Sequence, residues 1–455
     1  MTMKLTSLLS ILALFMGLGQ LSAQDFAPGP FPDRIVLTWN GDPRYTQAVS
    51  WRTSTQIKQG TAQITVAPDS PHLESSAKSH HATVESLIQE GDSSLYHTVS
   101  FENLKPGTLY AYRVGSEDHW SEWFHFKTAP EAPEEFSFIY FGDAQNDLKS
   151  RWSRVIRQAY SSMSDAAFML HAGDLINRTH ADAEWGEWNH AGGFIHAMIP
   201  SIPTPGNHEY DRDQQERLEL DIHWRKQFNL PLNGPKGFEE TVYYTDYGNA
   251  RIISLNSQEI VLNDSSRTRQ QEWLEKVLQE NTQDWTIITF HHPIYSSSSG
   301  RDNKEFREAF QPLFEAYGVD LVLQGHDHTY GRGHNLSTGV SGKSGKGKGP
   351  VYVVSVSGPK MYELTTDKWM DRAASETQLY QFITIKDNKL TYRTHTATGK
   401  LYDAFYLVKD HEGNNSFTDE AATAIEQRTD LPPRKLREKT PEELQEYEKV
   451  YPKKQ

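Results

Sequence analysis

The sequence FSFIYFGD, residues 136–143, is a short apolar run that ends on Asp143. Four further runs end on side chains of the types that bind metals: AAFMLHAGD (166–174), IPSIPTPGNHE (199–209), TIITFHH (286–292) and VDLVLQGHDH (319–328). Most of these runs are typical of buried strands, and open α/β sheets place their active sites just beyond the carboxyl ends of such strands. A single Asp after a strand is usually a helix cap or a turn residue. Five such ends in one chain instead indicate a metal centre.

The region before the first run has the periodicity of a β-sandwich. Residues 34–128 contain six β-rich segments separated by turns, which predicts a small antiparallel sandwich over residues 30–130. We expect its Trp39 and Trp51 to be core residues and not a platform for a ligand. A proline-containing linker then marks a domain boundary.

The region after the linker has a different pattern. Apolar strands alternate with amphipathic segments, such as 269–279 and 303–317, and this alternation predicts an α/β domain over residues 134–409. Residues 410–455 are polar and of mixed charge. We predict a partly disordered tail there, with one short helix near residues 441–451.

The N-terminus has the pattern of a secretory signal peptide over residues 1–23. Lys4 precedes an apolar stretch from residue 8 to 18, and the small side chains of Ser22 and Ala23 suit a cleavage site. The alternative is a membrane anchor, but a spanning helix needs about 20 apolar residues. No later segment is long and apolar enough to span a bilayer, so we expect an exported mature chain without a transmembrane segment, either periplasmic or secreted.

The composition excludes several classes of site. The chain has no cysteine, which rules out disulfides, thiolate zinc sites and cysteine nucleophiles, and its formal net charge is -14. Such a surface is not expected to bind a nucleic acid duplex. The one basic low-complexity stretch, residues 339–349, is interpreted as a flexible, solvated insertion, with a mobile cationic rim near the active site as the alternative.

The motifs at the ends of the five runs resemble those of the calcineurin-like metallophosphoesterase superfamily. In order they are GDAQ (142–145), GDL (173–175), GNHE (206–209), HHP (291–293) and GHDH (325–328). The stretch 96–114 resembles the fibronectin type III pattern, and together the two regions look like a bacterial member of the purple acid phosphatase group. The resemblance covers residues 34–409 and implies a metallophosphoesterase domain of two packed mixed sheets flanked by helices.

The resemblance also implies a ligand set for two metal ions. Asp174 would bridge both ions; Asp143 and His328 would complete the first site, and Asn207, His291 and His326 the second. The chemistry is consistent with this, because two metals about 3.5 to 4 Å apart share a carboxylate and clamp the attacking and leaving oxygens of a displacement. Imidazole and carboxylate ligands suit Zn, Fe and Mn. We therefore expect two divalent ions.

Three further residues follow from the same resemblance. His208 would bind the phosphate or protonate the leaving oxygen, with a purely hydrogen-bonded supporting role as the alternative. His292 would be a wall residue, since the family form His-x-Pro selects its neighbour His291 as the ligand. Arg301 would contact the substrate phosphate, although a solvated loop charge is an equal interpretation.

The chain departs from the family at two positions. Purple acid phosphatases carry a tyrosine ligand three residues after the bridging aspartate, where this chain has Asn177. Related phosphoesterases often carry a histidine where this chain has Gln145. Both amides are candidate additional metal ligands. Without the negative charge of a tyrosinate, the positive charge of a ferric ion would be less compensated. The purple colour and the acidic pH optimum are therefore not expected here.

The sequence as a whole predicts a secreted two-metal phosphoesterase. We expect it to hydrolyse small phosphate monoesters by in-line attack of metal-bound hydroxide. A phosphodiesterase or nucleotidase of the same fold is one alternative, and an exported binding module with a degenerate phosphatase scaffold is another. The complete ligand series argues against the binding module. The sequence does not specify which phosphate ester is the substrate or which oligomeric state the protein adopts.

Overall fold

The computed structural model describes residues 26–89, 91–334, 336–337, 340–343 and 349–452. The signal peptide predicted for residues 1–23 and part of the basic segment 339–349 lie outside these described residues, so the prediction of export stays a prediction. Within the described ranges, no helix is long and apolar enough to cross a membrane.

The N-terminal region folds into two antiparallel sheets around one core, as predicted. Its strands are β1 (Asp33–Thr38), β2 (Gln47–Ser54), β3 (Thr61–Val66), β4 (Lys78–His81), β5 (Thr83–Gln89), β6 (Asp92–Phe101), β7 (Leu109–Ser116), β8 (His119–Trp120) and β9 (Phe124–Lys127), with a 3-10 turn at Leu73–Ser75. The sheet orders are β1-β2-β6-β5 and β4-β3-β7-β8, and β9 also pairs with β7. Trp51 and Tyr112 are buried between the sheets.

The second region is an α/β domain, also as predicted. Its strands are β10 (Phe136–Phe141), β11 (Met169–His171), β12 (Ser201–Pro203), β13 (Tyr210–Arg212), β14 (Leu218–Leu220), β15 (Tyr243–Tyr247), β16 (Ala250–Ser254), β17 (Trp285–Phe290), β18 (Leu321–Gln324), β19 (Tyr330–Gly333), β20 (Leu336–Ser337), β21 (Val340–Lys343), β22 (Val351–Val354), β23 (Arg372–Ala374), β24 (Leu379–Lys386), β25 (Lys389–Thr396), β26 (Leu401–Lys409) and β27 (Asn415–Asp419). They form two seven-stranded sheets, in the orders β12-β11-β10-β24-β25-β26-β27 and β15-β16-β17-β18-β22-β19-β23, and two short hairpins.

The helices confirm the amphipathic segments predicted from the sequence. They are α1 (Ser153–Ser162), α2 (Asp182–Gly192), α3 (Trp224–Gln227), α4 (Ser257–Leu262), α5 (Asp264–Gln279), α6 (Lys304–Ala316), α7 (Pro433–Glu438) and α8 (Pro441–Val450), with a π-helical turn at Leu148–Trp152 and 3-10 turns at Gly193–Ile195, Asn207–Glu209 and Ala421–Thr423. The segments predicted near 269–279 and 303–317 are α5 and α6.

The alternation of apolar side chains along the strands explains the layers. In β17, Ile287 belongs to the core between the two sheets, whereas Ile288 packs with the apolar faces of α5 and α6. In β10, Tyr140 reaches across to the second sheet, where its hydroxyl contacts the main-chain oxygen of Gln324. The two sheets therefore pack face to face with helices outside, which confirms the predicted architecture.

The sandwich and the α/β domain share buried contacts. The main-chain N–H of Leu37 donates to the oxygen of His196 at 2.9 Å, and the Arg34 guanidinium pairs with Asp182 at 2.7 Å. Trp39 is buried as expected, but it stacks on Tyr247 of the α/β domain, with ring centroids 5.5 Å apart. This tryptophan therefore belongs to the core between the domains.

The structure corrects the prediction of a polar, partly disordered tail beginning at residue 410. Strand β27 pairs with β26, so the predicted boundary cuts through a hairpin. Helix α8 matches the predicted short helix, and α7 was not predicted. Buried Tyr447 packs against Leu364 and Ala373 of the α/β domain. When a short helix buries a single tyrosine, its apolar stripe is too narrow to distinguish it in the sequence from a fully solvated helix.

Candidate metal centre

The five sequence motifs converge at one edge of the two packed sheets. Strands β10, β11 and β12 run parallel in the first sheet, and β17 and β18 run parallel in the second. The residues that follow these strands therefore leave the sheets on the same side. A bridge between Asp143 and Val356 joins the two sheets at this point.

All six predicted ligands lie together at this edge. Asp174, His291 and His326 form one group whose ligand atoms lie within 4.8 Å of one another, and Asp143, Asp174 and His328 form a second. Asp174 belongs to both groups. The side-chain oxygen of Asn207 lies 3.1 Å from Nε2 of His291. This is the geometry that two neighbouring ions with one shared carboxylate require.

Main-chain hydrogen bonds orient the two carboxylates. Oδ1 of Asp174 accepts the N–H of His208 at 3.0 Å, and Oδ1 of Asp143 accepts the N–H of His326 at 2.6 Å. The second oxygens face imidazoles: Oδ2 of Asp174 lies 3.1 Å from His291 Nε2, and Oδ2 of Asp143 lies 3.3 Å from His328 Nε2. Among the described residues, buried Oδ2 of Asp143 has no hydrogen-bond partner. A buried oxygen of this kind fits a metal ion.

The imidazoles are held in one tautomer by carbonyl groups. Nδ1 of His291 donates to the oxygen of Ala172 at 2.9 Å, and Nδ1 of His328 donates to the oxygen of Lys360 at 3.1 Å. In both rings Nε2 is then left as a lone-pair donor, which is how proteins prepare histidines for metal binding. The donor set therefore fits two metal ions.

The backbone at the ligands is strained, as functional sites often are. Asp174, His326 and His328 have φ angles of 51°, 75° and 50°, in the left-handed region that non-glycine residues rarely adopt. The glycines of the motifs allow close approach to the ligands. A Cβ on Gly206 would lie 2.2 Å from Oδ1 of Asp174, and one on Gly325 would lie 2.4 Å from Oδ1 of Asp143.

The electrostatics of the site favour added positive charge. Burial and the neighbouring charge of Asp174 raise the pKa of Asp143 to about 7. Burial alone would lower the pKa of His291, but the carboxylates of Asp174 and Asp143 raise it to about 9. Burial lowers the pKa of His328 to about 3. A metal cation would take the place of the proton that the two carboxylates favour on His291, and it would stabilise both buried carboxylates.

Comparison with known protein families identifies two domains in this chain. Residues 136–330 match the calcineurin-like phosphoesterase family, and residues 32–128 match the purple acid phosphatase N-terminal domain. The chain therefore carries a calcineurin-like phosphoesterase domain preceded by a purple acid phosphatase N-terminal domain. Human acid phosphatase type 7 is 28% identical to it over 331 residues, which cover 67% of this chain and 72% of the human protein.

Two further relatives bear on the metal centre and the fold. The Fe(3+)-Zn(2+) purple acid phosphatase 12 of Arabidopsis thaliana is 26% identical over 367 residues and covers 75% of each chain. The structure of purple acid phosphatase PPD1 from yellow lupin (Lupinus luteus) seeds superposes with a TM-score of 0.71 at 19% identity, over 84% of this chain and 75% of the lupin chain. A centre of two metal ions therefore agrees with the two ligand groups of this chain and with the two metals in the name of the Arabidopsis relative, whereas the lupin structure shows the shared fold.

The two candidate additional ligands are placed differently. Nε2 of Gln145 lies 2.6 Å from Oδ2 of Asp174 and 3.2 Å from Nε2 of His328, so this amide lies inside the cluster. A half-turn of the amide would exchange its oxygen and nitrogen and present the oxygen to a metal. Asn177 contributes its main chain, because its carbonyl oxygen accepts Nδ1–H of His208 at 2.5 Å.

His208 lies beside the ligands and is partly open to solvent. Its Nε2 is 3.9 Å from Oδ2 of Asp174, and its side chain is 26% exposed. His292 is buried, its ring lies 4.2 Å from that of His326, and its Nδ1 is 3.0 Å from the Ser257 hydroxyl. His292 is outside both groups of candidate ligands, in agreement with a wall position.

Arg301 lies next to the fifth motif. Its guanidinium donates to the main-chain oxygen of His326 at 2.9 Å and contacts Asp327 Oδ1 at 3.4 Å, and its side chain is 31% exposed. Arg301 therefore lies beside the candidate metal ligands, and part of its guanidinium still reaches solvent.

Sequence reasoning missed two carboxylates that support the ligand turns. Glu209 is buried, and its carboxylate accepts the N–H groups of Asp174, Leu175 and Gly206 at 2.9, 2.7 and 2.7 Å. Burial and the charge of Asp174 raise the pKa of Glu209 to about 8. Buried Asp327 similarly accepts the N–H of Ser297 at 2.6 Å. Both lie within the motifs GNHE and GHDH, directly beside residues that the sequence did single out.

Proposed function

We propose that this metallophosphoesterase hydrolyses phosphate monoesters at a centre of two divalent metal ions. The observation that carries the proposal is that Asp174 belongs to both ligand groups. A carboxylate shared between two sites holds the two ions close enough to act on one phosphoryl group. When bound, the metal pair supplies Lewis-acid polarisation of the phosphate and a water acidic enough to serve as the nucleophile near neutral pH.

The protein residues would divide into two sets around the shared carboxylate. Asp143 and His328 would hold the first ion, and Asn207, His291 and His326 the second. Only Asp143 and Asp174 bring negative charge to this ligand set, so two divalent ions exceed the carboxylates in charge. The positive excess attracts a phosphate anion to a chain whose net charge is -14.

His208 would act on the leaving group. Its Nδ1–H donates to the Asn177 carbonyl, which fixes the ring and turns Nε2 toward the centre, 3.9 Å from Asp174 Oδ2. A protonated Nε2 in this position can donate a proton to the leaving oxygen or hold a phosphate oxygen. Arg301 would bind the substrate from the side of His326.

The alternative of a degenerate binding scaffold has little support in this geometry. A site that no longer needs metals has no reason to keep three strained ligand residues, six ligand side chains and two buried supporting carboxylates in register. The test is a panel of phosphomonoesters, phosphodiesters and nucleotides. It is assayed with protein whose metals have been removed by a chelator and with protein reloaded with Zn or Mn. Metal-dependent hydrolysis of monoesters is expected. Hydrolysis restricted to diesters, or none with any metal, would overturn the proposal.

A further inference from the structure

The segment between β22 and β23 forms one wall of the metal centre; residues 358–365 are called the rim segment below. The N–H of Gly358 donates to the main-chain oxygen of Asp143 at 2.6 Å, and the N–H of Tyr362 donates to the oxygen of His328 at 3.2 Å. The rim segment is therefore fixed to a ligand-bearing turn from each of the two sheets.

Two cations share the aromatic ring of Tyr362 on this rim. The Arg301 guanidinium carbon lies 4.9 Å from the ring centroid, and Nζ of Lys360 lies 5.5 Å from it. The ring itself is 4.6 Å from that of His328. Cation–π attraction holds positive groups over an aromatic face. Positive charge is thus gathered directly beside a candidate ligand of the first metal.

The charge of this rim is not fully neutralised by the protein. Arg301 contacts Asp327 at 3.4 Å with one nitrogen only. In the part of the chain that the structure describes, no carboxylate lies within ion-pair distance of Lys360 Nζ. The acidic neighbour Glu363 is paired instead with Lys439 of the C-terminal tail, at 2.7 Å, and both side chains of this pair are largely buried. Lys439 of the tail therefore neutralises the negative charge of Glu363, so that this charge does not offset the rim cations.

We propose that Lys360 and Tyr362, together with Arg301, form a binding site for a second anionic group carried by the substrate. The metal pair would hold the phosphoryl group that is transferred, and the rim would hold a carboxylate or further phosphate on the leaving group. Preferred substrates are then phosphate esters with two anionic groups. The identification of the transferred group rests on the proposed function, whereas the anion site rests on the rim residues.

The test compares two non-hydrolysable ligands that differ by one charge. Calorimetry with the metal-loaded protein gives the Kd of phenylphosphonate and of 4-carboxyphenylphosphonate. An exposed charge pair contributes about 0.2–1 kcal/mol, so each rim cation should favour the carboxylated ligand by roughly 1.4- to 5-fold. The preference should shrink in Lys360→Met and Arg301→Met, and it should weaken at high ionic strength.

Matched variants separate the rim from general charge and from folding. Lys368→Met removes the same charge from an exposed position further along the loop and should keep the preference. Tyr362→Phe keeps the ring and should also keep it, whereas Tyr362→Leu should lose it. Equal preference in the wild type, Lys360→Met and Lys368→Met would overturn the proposal.

Turnover distinguishes this inference from the proposed function. The same comparison is made with phenyl phosphate and 4-carboxyphenyl phosphate as substrates. If the protein binds the carboxylated phosphonate through Lys360 but hydrolyses neither ester, the anion site stands and the proposed function fails. In another outcome both esters are hydrolysed, but neither the phosphonates nor the esters show a Lys360-dependent preference for the carboxylated compound. The proposed function then stands and the anion site fails.

Discussion

The Glu209 carboxylate accepts a hydrogen bond of 2.9 Å from the main-chain N–H of Asp174, the residue shared by both ligand groups. Because Glu209 also accepts the N–H of Gly206, it ties together the turns that carry Asp174 and Asn207. We expect Glu209→Gln to place an amide NH₂ against these N–H groups and to weaken metal binding by about 10- to 100-fold. Metal titration measures this change, with exposed Glu219→Gln as the control. Unchanged metal affinity in Glu209→Gln would show that the turns hold their geometry without the carboxylate.

Replacement of Asp174 tests the shared ligand. Asp174→Asn is expected to remove most activity and to lower the occupancy of both metals, because one side chain serves both ligand groups. Asn207→Ala provides the contrast, since Asn207 lies beside His291 of one ligand group and its loss should mainly lower one occupancy. Elemental analysis of the purified variants decides the matter. Two tightly bound metals per chain in Asp174→Asn would exclude a bridging role.

His208 should affect turnover and leave metal binding intact. Its main-chain N–H, which orients Asp174, is retained in His208→Ala, so the metal ligands should not move. Loss of the imidazole is expected to reduce kcat by roughly 10²- to 10⁴-fold, the usual contribution of general acid catalysis. Metal content and kcat are measured on the same sample. A loss of metal together with activity would instead identify His208 as a ligand.

The candidate ligands were predictable from the sequence and the residues that support them were not, for a physical reason. Asp143 and His291 lie within two residues of the ends of apolar strands, so the pattern of each strand locates the residue near its end. Glu209, Asp327 and Tyr362 act through contacts across the site that no local pattern encodes. Tyr362 in particular lies in an irregular segment, and only the fold brings its ring to within 4.6 Å of His328.

The family resemblance implied the two-sheet architecture, and the sequence pattern of apolar strands agreed with it. The ordered structure of the tail was not predicted. Strands β10, β17 and β18 are buried apolar runs, which a sequence displays plainly. The ordering of the tail depends on long-range contacts such as the hydrogen bond from Tyr451 to the main-chain oxygen of Thr365 and the ion pair of Lys439 with Glu363. Single contacts of this kind leave no periodicity to detect.

The absence of a tyrosine at position 177 predicts a colourless centre. The Asn177 carbonyl accepts a hydrogen bond from His208, and the hydroxyl of buried Tyr330 donates to Asp403 at 2.6 Å. Asn177 has no phenol, and Tyr330 could supply a phenolate to the metals only by breaking its hydrogen bond to Asp403. Iron-loaded protein should therefore lack a tyrosinate charge-transfer band, and activity should recover with Zn or Mn. Visible absorption and metal-dependent rates check this, and activity restricted to ferric iron would contradict it.

His196 should make the protein less stable in acid. Its ring is fully buried and stacks on Trp188 with ring centroids 4.0 Å apart, and burial lowers its pKa to about 3. A histidine in the unfolded chain has a pKa of about 6.5. Between that pH and about 3, the unfolded state therefore binds a proton that the folded state does not bind. The free energy of unfolding should then fall as pH decreases from about 6.5 toward 3, by about 2 kcal/mol at pH 5 from this residue alone. Denaturant unfolding at pH 5 and pH 8 measures the difference, which should shrink by that amount in His196→Phe and stay unchanged in exposed His72→Phe. Because the readout is the difference between two pH values, any repacking strain in His196→Phe cancels, and an unaltered difference would show that His196 does not titrate in this way.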